Sequence, residues 1–334
     1  MRPGSRFALS IVGFVAVAGF AAGCGEEGSS GTEAPDTAAS GAGCAPVAGN
    51  ELVVLEDDKK LQTVDNVIPA INAKASSPAM IAALDKVSAA LDTGKLIALN
   101  KAVAVDRKTS KVAAEEFASS AQLTSGISKG SSGNVKIGAA NFPENQTLGE
   151  LYRIVLTAAG YNASVQTIGN RELYEPALER GEIQVVPEYV GTLTEFLNKK
   201  ANGPSATPLA SSDLDKSVAA LKDVGGKAGL TFGAPSPAQD QNAFAVTKPF
   251  ADQHQLKTLS DLASKCAGTA TVLGGPPECP QRPFCQPGLE QTYGMKFGQF
   301  ASLDPGGPQT LTALRNGTIS VGLVFSSDAA LTAQ

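Results

Sequence analysis

A chain of 334 residues, 43% of them hydrophobic, has the material for two lobes of ordinary domain size. Its formal net charge of −5 gives no footing for a nucleic-acid partner. One histidine and no tryptophan argue against a histidine-based catalytic or metal cluster.

Residues 1–24 read as a targeting segment. Arg2 and Arg6 form a charged start, and Phe7 to Phe20 an apolar run too short for a comfortable membrane span. Ala21-Ala22-Gly23 then place small residues before Cys24. The pattern predicts a bacterial lipoprotein signal cleaved before Cys24, which takes the lipid anchor. An ordinary secretory signal with a chance cysteine is the other reading. Residues 25–50, rich in Gly, Ser, Ala, Thr and Pro, are expected to form a flexible tether.

Extended segments are expected at Glu51–Leu55 and Asn66–Ile71, and helices at Pro78–Leu91, Gly94–Ala102 and Ser110–Ser119. The strands lack partners within this stretch, so it makes a poor independent domain. The Ser/Gly-rich run up to Asn134 reads as a linker.

From Val135 the pattern is plainer. A strand at Val135–Gly138 leads through Asn141-Phe142-Pro143-Glu144 into a helix with apolar residues at Leu148, Leu151, Val155, Leu156 and Ala159, closed by Gly160. A strand at Ala163–Thr167, a helix ending near Arg180 and a strand at Ile183–Val186 follow. This βαβαβ order predicts a parallel, doubly wound sheet with its ligand beyond the carboxyl ends of the strands. That rule draws Asn141–Gln146, Gly169–Arg171 and Glu188–Thr192 around one cleft.

Helices are expected at Leu193–Lys200, Leu214–Gly225, Pro249–His254, Leu259–Cys266, Leu289–Tyr293 and Thr310–Asn316. Strands are expected at Thr269–Leu273 and Ile319–Phe325, and the apolar run Asn242–Thr247 leads into a second lobe. Ala177–Val185 echoes Ala313–Val321, each a helix, a glycine and a strand. Either any short αβ connection looks so, or two similar lobes face each other.

Tyr189 and Thr192 end a strand at the expected cleft, where tyrosine offers a π face and a hydroxyl; a core tyrosine behind the strand is the plainer alternative. Arg282, in a proline-rich loop, suits paired hydrogen bonds to a carboxylate, or is a surface arginine. Asn141, Glu144 and Asn145 sit at a helix start, where free N–H groups take polar ligands and where simple capping would also explain Asn145. Asn170 and Arg171 open the next helix. His254 reads as a surface residue of a polar turn. Setting Cys24 aside, Cys44, Cys266, Cys279 and Cys285 remain, an even number in an exported chain. Cys279 with Cys285 would stiffen the Arg282 loop, leaving Cys44 with Cys266. A zinc site has no support in the spacing.

The phrases IGAANFPENQTLGELY, GNRELYEPALERGEIQVVPEYVGT, LKTLSDLA, RPFCQPGLEQTYGMKF and ALRNGTISVGLVFSSD, in this order over Val135–Asp328, resemble the substrate-binding proteins of osmoprotectant ABC importers, the glycine betaine/choline/carnitine-binding family. The resemblance implies an α/β, two-lobed clamshell of the type II periplasmic-binding-protein kind, each lobe a doubly wound sheet. LVVLEDDKKLQTVDNVIPAI and LDTGKLIALNKAVAVDRKTSKVAAEEF resemble the family's carboxyl-terminal segment, which here stands in front. The chain therefore reads as a circular permutant. Residues 51–122 are the moved segment completing lobe 1, 123–134 the linker, 135–242 lobe 1, 243–326 lobe 2, and 327–334 a return toward lobe 1. Gln334 and the strand at 51–55 are then expected close together; a separate small domain before a truncated binding protein is the competing reading.

The resemblance implies that Tyr189, Thr192 and Arg282 reach the ligand. It also shows departures. Relatives often have a lysine where this chain has Ala140 and an acid where it has Gln184, and their several cage tyrosines correspond here to Tyr189, Asn242, Phe325 and Asp65. Asp65 and Asp240 offer charge to a cation instead. The expected function is capture of a small osmolyte, a betaine- or choline-like quaternary amine, for delivery to an ABC permease and its ATPase. The protein would be an extracytoplasmic, lipid-anchored monomer without cofactor, metal or catalytic residues. The alternatives are a polar solute such as a polyol, sugar or amino-acid derivative, a sensory or structural lipoprotein, and an exported enzyme using paired carboxylates.

Overall fold

The computed structural model describes residues 41–130 and 132–329. The signal, Cys24, the first part of the tether and Gln334 lie outside them. Among the described residues, no helix is long and apolar enough to cross a membrane.

The expected βαβαβ unit is present. Strand β3 (Asn134–Ala140), helix α4 (Pro143–Ala159), β4 (Asn162–Gly169), α5 (Arg171–Glu179) and β5 (Val185–Tyr189) follow in order, with β4 and β5 parallel to β3 on either side. Gly160 ends α4 at φ +110°, a left-handed stop open to glycine at little cost. Two further strands extend this sheet, sheet I, on the β5 side: β2 (Val67–Asn72), antiparallel to β5, and β6 (Leu230–Phe232), antiparallel to β2. Pro69 offers β6 no N–H, and β6 stops at Phe232, where Gly233 N donates to Pro69 O at 3.1 Å.

Alternation along β2 supplies two cores. Val67 and Ile71 face α4 together with α1 (Pro78–Ala90), α2 (Thr93–Ala104) and α3 (Ser110–Ser120). Ile68 and Ala70 face α5, α6 (Val190–Asn202) and α7 (Leu214–Lys227). Ser77, Asp92 and Thr109 cap α1, α2 and α3, each accepting from a first-turn N–H.

Sheet II repeats the plan. β8 (Gly268–Gly275) is flanked in parallel by β9 (Phe297–Ser302) and β10 (Val321–Phe325); β7 (Asn242–Thr247) adds antiparallel to β10, and β1 (Leu52–Val54) antiparallel to β7. Helices α8 (Lys248–His254) and α9 (Leu259–Cys266) pack with Phe244, Val246, Val321 and Leu323, while α10 (Pro308–Arg315) packs with Ala245 and Val324 on the other face. The echo between Ala177–Val185 and Ala313–Val321 now has a structural meaning. Each runs from the end of a helix to the first residue of the strand that closes the parallel part of its sheet.

Residues 51–122 divide between the sheets. β1 joins sheet II, whereas β2 and the helices α1–α3 belong to sheet I. The run 41–50, read from composition as tether, instead lies against sheet II. Ala42 bridges Gly268, Cys44 is disulfide-bonded to Cys266, and Gly49 N donates to Arg315 O at 3.0 Å. Small residues fit there because the backbones approach closely. His254 is half-buried rather than a surface residue. Its ring tilts against Phe250 and sets Nδ1 3.5 Å from Cys44 Sγ.

Candidate functional site

The chain crosses from sheet II to sheet I over residues 55–66 and returns over 233–241. The two crossings run side by side. Asn66 bridges Gln239, Asp240 N donates to Asp65 O at 3.0 Å, and Asn66 Nδ2 donates to Ser236 O at 2.8 Å. A cavity of about 390 Å³ opens beside this pair of strands. It lies at the carboxyl ends of β3, β5 and β10, as expected for open α/β sheets. Of the residues singled out in the sequence, Asp65, Asn141, Asn170, Arg171, Tyr189, Thr192, Asp240, Asn242, Arg282 and Phe325 line it.

Glu144 and Asn145 do not line it. Asn145 is a brace, its Oδ1 accepting from Ala140 N at 2.8 Å and its Nδ2 donating to Pro187 O at 2.9 Å. It ties the ends of β3 and β5 together. Glu144 lies behind Tyr189, accepting its hydroxyl at 2.7 Å.

Asp65 caps a helix from another part of the chain. Tyr189 stands at the N-cap of α6 without a side-chain capping bond, and Asp65 Oδ1 takes the N–H groups of Gly191 and Thr192 at 2.8 and 3.0 Å. Burial nevertheless pushes the Asp65 carboxyl up to about 7, against the N–H donors and Arg171.

Asp240 sits in a chain of close contacts. Ser327 Oγ lies 2.6 Å from Glu144 Oε2 and 2.7 Å from Asp240 Oδ1. A hydroxyl has one proton to give, so one carboxyl must bring its own. Glu144 already accepts from Tyr189 and, at 2.6 Å, from Asn100 Nδ2. Burial, and then the charge of Glu144, hold Asp240 well above the usual carboxylate range. Asp240 is thus the carboxyl of this pair that its surroundings press toward the protonated form.

Arg171 is already engaged. Its Nε and Nη2 fork onto Glu188 at 2.8 and 2.7 Å, Tyr174 adds its hydroxyl to the same carboxylate at 2.8 Å, and Nη2 also donates to Thr192 Oγ1 at 2.9 Å. This buried, bidentate group fixes one wall of the cavity. Arg282 is held too. Glu172, at the start of α5, accepts from its Nη2 at 2.9 Å, and Glu278 lies 3.1 Å away. The expected anion-binding arginine thus already holds a carboxylate across the cavity. Cys279–Cys285 closes the loop that carries it. Asn242 and Gln62 both donate to Phe284 O at 3.1 Å, fastening that loop to β7 and to the first crossing.

The aromatic wall is fuller than the sequence showed. Phe142 lies 5.5 Å from Phe325 and 6.5 Å from Tyr189 between ring centroids, and Phe196 and Phe284 also line the cavity. Phe142 stood inside a segment already drawn to the cleft, between Asn141 and Pro143; its type was the signal. Glu172 and Ser327 carried none, since their roles depend on partners far along the chain.

Cys44, Cys266 and His254 come together as metal-capable groups, but both sulfurs are spent in a disulfide. A cavity between two α/β sheets, with carboxyl groups and rings inside, is built to hold a small solute. Residues 45–120 and 133–334 match the substrate binding domain of the ABC-type glycine betaine transport system, and the protein belongs to that family of ABC-importer substrate-binding proteins.

Proposed function

We propose that the protein captures a small organic cation or zwitterion of the osmolyte kind between its two sheets and presents it to an ABC permease driven by its ATPase. The carrying observation is the cavity at the crossing strands, where Asp65 and Asp240, both buried, meet the rings of Phe142, Tyr189 and Phe325. A desolvated cation gains from both charge and π faces. Family membership supports an extracytoplasmic binding role without covalent chemistry. In this reading the sheets are the cores of two lobes that close about the paired crossings, Asp65–Asn66 with Gln239–Asp240. A lipid on Cys24 holds the monomer at the membrane. The circular permutation belongs to the same reading, supported by the family match falling in two stretches on either side of residues 121–132.

The test is ligand-induced stabilisation of the purified chain by betaines, cholines, amines, polyols and disaccharides. A solute at a hundred times its Kd adds about 2.7 kcal/mol to stability. Stabilisation by cationic or zwitterionic solutes is expected. Stabilisation by polyols or sugars alone would mean a scaffold turned to neutral solutes, and none by any class would remove the binding reading.

A further inference from the structure

The cavity holds hydrogen-bond acceptors that a quaternary ammonium cannot satisfy. Asp65 makes its hydrogen bonds through Oδ1, to the N–H groups of Gly191 and Thr192 and the hydroxyl of Thr192. Asp240 makes its own through Oδ1, to Ser327. Neither Oδ2 has a hydrogen-bond partner among the described residues, though Asp65 is 5% and Asp240 4% exposed. Asn170 Oδ1 is also buried and without a partner. All three side chains line the one cavity.

A trimethylammonium group balances charge but presents only methyl groups. Seated here, it would displace water from these oxygens and give no N–H in return, and a buried acceptor left unmade is costly. A primary or secondary ammonium, or a guanidinium, brings the charge and at least two N–H donors. The aromatic wall of Phe142, Tyr189 and Phe325 still takes the apolar side of such a head.

We infer that the solute's cationic head carries at least two N–H donors, received by Asp65 Oδ2 and Asp240 Oδ2, and that these two carboxyl groups select against quaternary amines. This rests on the proposed capture of a small cation or zwitterion. Arg282 is already paired with Glu172, so the inference does not require a carboxylate on the solute.

Calorimetric titration of the purified full chain at pH 8 tests it with two methylation ladders. One runs from glycine through sarcosine and dimethylglycine to glycine betaine, the other from ethanolamine through N-methylethanolamine to choline. The secondary amine should bind at least tenfold more tightly than the quaternary member in at least one ladder. Asp65→Asn and Asp240→Asn, each checked for an unchanged circular dichroism spectrum, should shrink that ratio to within threefold. Glycine betaine or choline binding as tightly as its secondary amine overturns the inference and leaves cation capture standing. Silence across both ladders overturns the two together. An undiminished ratio in both folded variants overturns the assignment to Asp65 and Asp240.

Discussion

The main-chain N–H of Asp240 donates to the main-chain carbonyl of Asp65 at 3.0 Å. Two crossings of the chain, far apart in sequence, are thereby fastened at the point where each carries a buried carboxyl into the same cavity. The pairing fixes position without supplying countercharge, and both carboxyl groups rise. Around Asp65, the N–H donors of α6 and the guanidinium of Arg171 oppose the rise, while Glu188 adds to it. Around Asp240, Glu144 and Asp65 add, and Ser327 opposes.

The first prediction concerns stability against pH. Asp65 is carried from 3.8 to about 7 on folding, chiefly by burial. The folded state therefore holds a proton that the unfolded state has lost between those values. The contribution is present in full below 3.8 and is lost as pH rises through 7; its size is at most about 4 kcal/mol. Asp65→Asn removes the titration yet keeps an oxygen for Gly191 and Thr192. In urea denaturation of the empty protein, wild type should lose stability relative to the variant from pH 4.5 to 8. A constant difference would show that Asp65 titrates normally.

Ser327 carries the second. Its hydroxyl stands between Glu144 and Asp240, and Ser327→Ala leaves two buried carboxyl groups facing one another without a bridge. A cost of about 1–3 kcal/mol is expected from the unmet acceptors. The cost should grow as pH rises, since Asp240 is then pressed to ionise near Glu144 with one donor fewer. A pH-independent loss would assign Ser327 to packing alone.

Gly191 makes a third test, of the cap itself. A Cβ there would lie 2.3 Å from Thr63 Oγ1 and 2.5 Å from Val64 O. Gly191→Ala must push the start of α6 away from the first crossing, taking the donors of Asp65 with it. A destabilisation of about 1–3 kcal/mol in urea melts is expected, with solute affinity falling as well. A stable variant with unchanged affinity would show that the approach of α6 to Asp65 is unimportant.

Local pattern made the parallel parts of both sheets readable. Helical spacing from Leu148 to Ala159, a glycine at Gly160 and a run of apolar strand residues at Val185 point the same way as the tertiary structure. Strand β6 is only three residues long, and β9 is half exposed with Gly298 inside it, so neither shows a period. Asp65, Asn242 and Phe325 came from family correspondence, and Asp240 from its place beside them. What stayed hidden was pairing. Nothing near Arg282 reveals that Glu172 holds it, and nothing near Asp240 reveals Ser327, because each partner comes from a distant part of the chain. Arg171 was drawn correctly to the cavity, but its commitment to Glu188 needs β5 beside β3 to be seen.

The last prediction separates the two uses of Arg282. Glu172 and Arg282 are 39% and 30% exposed at their side chains, so the pair contributes at most about 1 kcal/mol to stability. Burial works against the Glu172 charge, but Arg282 keeps its carboxyl below the usual range, so the pair is ionised at neutral pH. Glu172→Gln removes the competing charge and leaves Arg282 with Glu278 at 3.1 Å. A solute carboxylate can then take the vacated side of the guanidinium, a charge-assisted bond of roughly 1.5–3 kcal/mol. In calorimetric titrations, affinity for a carboxylate-bearing solute such as sarcosine should rise about tenfold relative to the carboxylate-free N-methylethanolamine. The urea midpoint should scarcely move. If the ratio of the two affinities stays where it was, Arg282 serves to hold α5 against its own loop, and the anionic end of any zwitterion is received elsewhere in the cavity.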